Sequence, residues 1–88
     1  MGMRCRVKHV GTVEDIEDRD DLTLVNSEED ILAIAESIGI RKKNMFVNEF
    51  GSCYVSVIDG DYGEVFCSQR NIPHLSDPLY KVDCRWVE

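Results

Sequence analysis

Long apolar runs are missing from this 88-residue sequence. No stretch approaches the roughly 18 residues of a membrane-spanning helix, and the first residues lack the apolar segment of a secretory signal. The expectation is a chain without membrane contact in the cytoplasm of its own cell or of a host. Paired cysteines of the C-x-x-C type are missing too. Cys5, Cys53, Cys67 and Cys84 are widely spaced, whereas zinc knuckles bring two thiolates to one metal through close pairs. Without a secretory signal, four reduced thiols buried as small hydrophobes are expected. Cys5 and His9 share a strand face but stand roughly 13 Å apart along an extended chain, too far for one metal. Asp59, Asp61 and Glu64 supply only part of a calcium loop. No glycine-rich phosphate cradle is present. His74, Ser76 and Asp77 have triad chemistry but lie almost adjacent, where side chains rarely converge, and Asp77 fits better as the cap of a turn before Pro78. These gaps point away from an enzyme and from any metal or cofactor.

What is present suits one small packed domain spanning residues 1–88. Hydrophobic residues make up 43% and charged residues 31%, the ordinary globular range. Residues 3–10 alternate, with Met3, Cys5, Val7 and His9 on one phase and Arg4, Arg6 and Lys8 on the other, which predicts a half-buried strand with a basic outer face. Residues 14–21 hold too little apolar content to be buried and read as a solvated loop or irregular edge. Ser27, with Glu28, Glu29 and Asp30 after it, has the form of a helix start. Ile31, Leu32, Ile34, Ala35 and Ile38 follow at helical spacing, and Gly39 supplies the stop.

The rest reads as strand. Gly51-Ser52 suits a two-residue hairpin between 45–50 and 53–58, placing Phe50 opposite Cys53, Asn48 opposite Val55 and Phe46 opposite Val57. The connection around Asp59-Gly60-Asp61-Tyr62-Gly63 must then hold an odd number of residues to bring Val65 and Cys67 to that face. Residues 79–87 alternate again, with Tyr80, Val82, Cys84 and Trp86 inward and Lys81, Asp83 and Arg85 outward. Residues 69–78 form a long connection stiffened by Pro73 and Pro78. The fold class expected is α+β, a mainly antiparallel sheet of about five strands with one α-helix packed on its inner face.

Charge is segregated within a net value of −7: residues 1–10 carry +3, residues 11–40 carry −9 and residues 41–88 carry −1. Glu14, Asp15, Glu17, Asp18, Asp20 and Asp21 crowd one stretch, and their mutual repulsion would be relieved by a basic partner protein. Acidic loops also keep proteins soluble, and a helix start collects carboxylates for its own sake. On the outer sheet face, Arg4, Arg6, Lys8, Lys81 and Arg85 share a phase with Tyr54 and Phe66, an arrangement suited to RNA or single-stranded DNA, with aromatics stacking bases and cations holding phosphates. Overall acidity disfavours nucleic acid.

In size, acidity and want of catalytic machinery, the chain resembles small bacterial or phage inhibitor proteins, such as toxin-immunity or anti-defence factors. The expectation is a non-enzymatic binding module, monomeric or homodimeric. It would cover a basic, nucleic-acid-binding surface of a partner protein through Glu14, Asp15, Glu17, Asp18, Asp20 and Asp21, with Tyr54 and Phe66 as anchors.

Overall fold

In a computed structural model of the chain, residues 2–40 and 43–87 are described. Five strands form one antiparallel sheet: β1 (Gly2–Thr12), β2 (Thr23–Val25), β3 (Ser52–Ile58), β4 (Asp61–Ser68) and β5 (Pro78–Val87), in the order β1-β5-β4-β3-β2. Helix α1 spans Glu28–Ser37 and α2 spans Lys43–Glu49, and Val13–Ile16 form a 3-10 turn. The alternation in the terminal strands is realised in their pairing, with Cys5 opposite Cys84, Val7 opposite Val82 and His9 opposite Tyr80. Helix α1 starts as its sequence suggests, the Ser27 hydroxyl accepting the Asp30 amide at 3.2 Å, which satisfies one of the orphan donors of a helix start.

The pleat divides the buried side chains between two clusters. In one, Ile31, Ile34 and Ala35 of α1 join Phe46, Phe50, Cys53, Val55, Val65, Cys67 and Val82. The other, from the opposite sheet face, contains Phe66 and Leu79 with Val13 and Ile16 over them, flanked by Leu22 and Tyr54.

Several sequence expectations are overturned. Residues 45–50 are not a strand but lie in and just after α2, so the hairpin pairs Phe50–Cys53, Asn48–Val55 and Phe46–Val57 do not form; β3 pairs with β2 and β4 instead. Phe46 and Phe50 are one helical turn apart, with ring centroids at 5.2 Å, and both are buried. That i, i+4 stripe outweighs an alternation that would also have turned the exposed Asn48 inward. The β3–β4 turn holds two residues rather than an odd number. Asp59 and Gly60 both have positive φ, 53° and 86°, the type I′ form that matches strand twist. The face is corrected further along, where Val57 opposes Tyr62 but Val55 opposes Val65, so β4 carries one extra residue as a bulge. The Glu64 amide donates to Ser56 Oγ at 2.9 Å there.

Nor are the four cysteines all reduced. Cys5 and Cys84, direct cross-strand neighbours, are joined by a disulfide, while Cys53 and Cys67 remain free and buried with their sulfurs 3.3 Å apart. All four sit on the apolar phase of their strands, but sheet closure sets them opposite one another in pairs.

Candidate functional site

The acidic segment is not a free loop. Thr12 ends β1, and its amide donates to Asp15 Oδ2 at 2.8 Å. The next two amides are taken by the 69–77 connection: Val13 N donates to Asp77 O at 3.0 Å and Glu14 N to Leu75 O at 2.9 Å. Asp77 is itself fixed, accepting the His74 amide at 2.9 Å and pairing with Arg70 at 2.9 Å. These two contacts, the backbone donor first, hold its carboxyl below the usual carboxylate range. The segment then crosses the outer sheet face towards β2, with Val13 and Ile16 buried over Phe66 and Leu79.

Arg19, the sole cation between residues 11 and 40, anchors the far side. Its guanidinium donates to both oxygens of Asp21 at 3.0 and 2.6 Å and to Glu64 Oε1 of β4 at 2.7 Å. The same group lies 5.8 Å from the centre of the Phe66 ring, as does Lys81 Nζ, within cation–π range. Lys81 also reaches Glu64 Oε2 at 3.8 Å. Asp21 and Glu64 are held below their ordinary values, chiefly by the Arg19 hydrogen bonds, and Arg19 is raised by the same contacts, Asp21 first.

Between this crossing segment and the sheet lies an open cleft of about 240 Å³. Val13, Ile16, Leu22 and Tyr54 form its apolar wall, Glu17 and Arg19 its polar rim, and Leu24 and Leu75 its lips. The lips are large hydrophobics left 41% and 48% exposed. Burial in this wall raises the Tyr54 phenol above its ordinary value.

The structure therefore brings together most of the residues expected at a partner surface. Glu14, Glu17, Asp18 and Asp20 point into solvent and form no ion pair among the described residues. Asp15 and Asp21 are spent on local structure, one as a cap and one on Arg19. Tyr54 is half-buried in the cleft wall. Phe66 departs from expectation: at 6% exposure it is covered by Val13 and Ile16, so it is neither an exposed anchor nor a base-stacking platform. Its neighbours across the face run Leu24, Tyr54, Phe66, Lys81 and Lys8 in register. Arg4, Arg6, Lys8 and Arg85 lie exposed on β1 and β5, away from the cleft. The cleft itself was missed from sequence; its signals were the apolar pair Val13 and Ile16, three apart as a 3-10 turn requires, and the capping-box spacing of Thr12 and Asp15.

Among the described residues no group of three or more His, Cys, Asp or Glu side chains is placed to hold a metal, and no helix is long and apolar enough to cross a membrane. No family model matches the chain, and no curated protein matches it. Among solved structures, the chain is similar to TTMA177, a hypothetical protein from Thermus thermophilus phage TMA, at 29% identity and a TM-score of 0.60, over 94% of this chain and all of that one.

Proposed function

We propose that the chain is a non-enzymatic protein-binding module, an acidic inhibitor or immunity-type factor that docks on a basic protein surface through the 14–21 segment. The observation that carries this reading is the position of four carboxylates without an ion pair among the described residues, Glu14, Glu17, Asp18 and Asp20, on a segment that also walls an open apolar cleft. Interfaces concentrate binding energy in an apolar anchor seated in a pocket, while rim charges speed encounter and select the partner. Here the cleft beside Tyr54 would take the anchor, and the carboxylates would select a cationic surround. The similarity to a phage protein is compatible with a factor acting in a host cytoplasm. The Cys5–Cys84 disulfide bears on that placement, since such bonds persist chiefly in oxidising surroundings; thiol trapping in intact cells would show which state exists there.

Affinity capture with the full chain tests the reading. A basic protein should be retained at low salt, released as salt rises, and lost with Glu17→Lys, Asp18→Lys and Asp20→Lys combined. Tyr54→Ala should weaken retention while leaving its salt dependence in place. Retention indifferent to salt and to the charge reversals would remove the proposal.

A further inference from the structure

The two ends of the sheet are built differently. β4 pairs with β5 only at Phe66↔Lys81 and Cys67↔Tyr80, whereas β1 accompanies β5 along its whole length, from Thr12↔Pro78 to Gly2↔Val87. Beyond Val82 the sheet is thus a two-stranded ribbon, cross-linked by the Cys5–Cys84 disulfide. On the outer face of the β1–β5 pair the register sets Arg4 opposite Arg85 and Arg6 opposite Asp83 on the ribbon, with Lys8 opposite Lys81 at its base, five cations around one acid. Lys81 is turned to Glu64 and Phe66. Arg4, Arg6, Lys8 and Arg85 are exposed and form no ion pair among the described residues.

We propose that this ribbon face is a second binding site, one that grips the phosphate backbone of duplex nucleic acid. Like charges set directly opposite destabilise a strand pair, and while Lys81 is held by Glu64 and Phe66, Arg4, Arg85 and Lys8 form no ion pair among the described residues to offset that cost. A polyanion would relieve that repulsion and release its own counterions. Same-face cations on a strand recur about every 6.6 Å, a ladder suited to a line of phosphates, and a two-stranded ribbon is narrow enough to enter a major groove.

Net acidity does not cancel this site. Arg4, opposite Arg85, lies about 26 Å along the strand from Thr12, where the acidic segment begins, against a screening length of about 10 Å at 0.1 M salt; Lys8, about 13 Å from Thr12, is the nearest of the four cations to it. Duplex is favoured over single strand because the Phe66 ring, on the same face, is buried, leaving phosphate rather than bases to be recognised. A second copy paired along β1 would bring cations against cations, so self-association does not explain the face.

The test is fluorescence anisotropy of a labelled 20-base-pair DNA duplex with the oxidised full chain, alongside the single strand and a polyglutamate competitor. With four phosphate contacts, raising salt from 50 to 200 mM should weaken duplex binding about 100-fold. Arg4→Gln, Arg6→Gln and Arg85→Gln combined should lower the salt slope by about 3 and weaken binding at least 10-fold at 50 mM salt. Thermal melting verifies that the variant folds, and single substitutions, each lowering the slope by about 1, serve if it does not. Asp18→Lys, remote from the ribbon, should not weaken binding. No duplex binding at 50 mM salt, binding untouched by the arginine substitutions, tighter binding of the single strand, or displacement by polyglutamate at equal charge would each overturn the proposal.

Discussion

Replacing Cys5 and Cys84 together by alanine should cost this protein a large share of its stability. The disulfide spans 79 residues of an 88-residue chain, so it closes nearly the whole unfolded molecule into one loop. In the chain-entropy description a loop of that size restricts the unfolded state by about 4.5 kcal/mol. Measured values usually fall lower, so about 3 kcal/mol is the working figure, against roughly 5–15 kcal/mol for a whole domain. The bond also joins the strands between the opposed pair Arg4–Arg85 and the pair Arg6–Asp83, where β1 is an edge strand with no second neighbour. Urea unfolding is the assay. With a slope of about 1.5 kcal/mol per molar, the midpoint should fall by about 2 M, and reductant should shift the unsubstituted protein similarly. Alkylation of the non-reduced, denatured protein, read by mass, should label Cys53 and Cys67 alone. Labelling of all four thiols, or an unchanged midpoint in the double variant, would refute the reasoning.

Gly51→Ala should destabilise by about 1–3 kcal/mol, as overpacking does, because a Cβ there would lie 2.7 Å from Asn71 N and 2.8 Å from the Arg70 carbonyl carbon; a melting temperature equal to wild type would show that the 69–77 connection yields freely. Ile16→Ala should cost about 2–5 kcal/mol by chemical denaturation, whereas Asp18→Ala should stay within about 0.5 kcal/mol; equal effects would mean that the acidic segment is not packed. Asp77 has a folded value below its unfolded one, so its contribution is full above about pH 3.9 and is lost as pH falls through the folded value. Melting followed from pH 6 to 2 should therefore show a shallower acid limb for Asp77→Asn than for wild type, and parallel curves would exclude this carboxylate from acid unfolding.

What could be read from the chain was local. The period-2 runs at 3–10 and 79–87 and the capped 3.6-period run after Ser27 each state their structure within ten residues, and the structure follows them. Residues 45–50 carry two periods at once: Phe46 and Phe50 satisfy an alternating strand and a helical turn equally. Asn48 was the discriminating residue, since only the helix leaves it in water. The disulfide depended on a long-range fact, that β5 returns beside β1, which no local pattern contains. Cys5 and Cys84 being in phase was legible; their being opposite was not. The same holds for Phe66, whose outward phase was read correctly while its cover, Val13 and Ile16, sat within a stretch dominated by carboxylates.

The economy of charge along the acidic segment separates what the fold uses from what it leaves over. Docking that segment on the sheet requires Val13 and Ile16 for burial, Asp15 for the cap at Thr12, and Arg19 to link Asp21 with Glu64. With Arg19, its one cation in sequence, committed to those two acids, the segment has none of its own left to neutralise Glu14, Glu17, Asp18 and Asp20, which form no ion pair among the described residues. Had the sequence been shaped for packing alone, neutral polar residues at those four positions would have served as well and repelled less. Solubility gives a reason for some exposed carboxylates, but not for placing them on the segment that walls the open apolar cleft beside Tyr54, with Glu17 at its rim. A hydrophobic recess with Glu17 at its rim is what the proposed docking would offer to a lysine- or arginine-rich surface bearing a single apolar side chain.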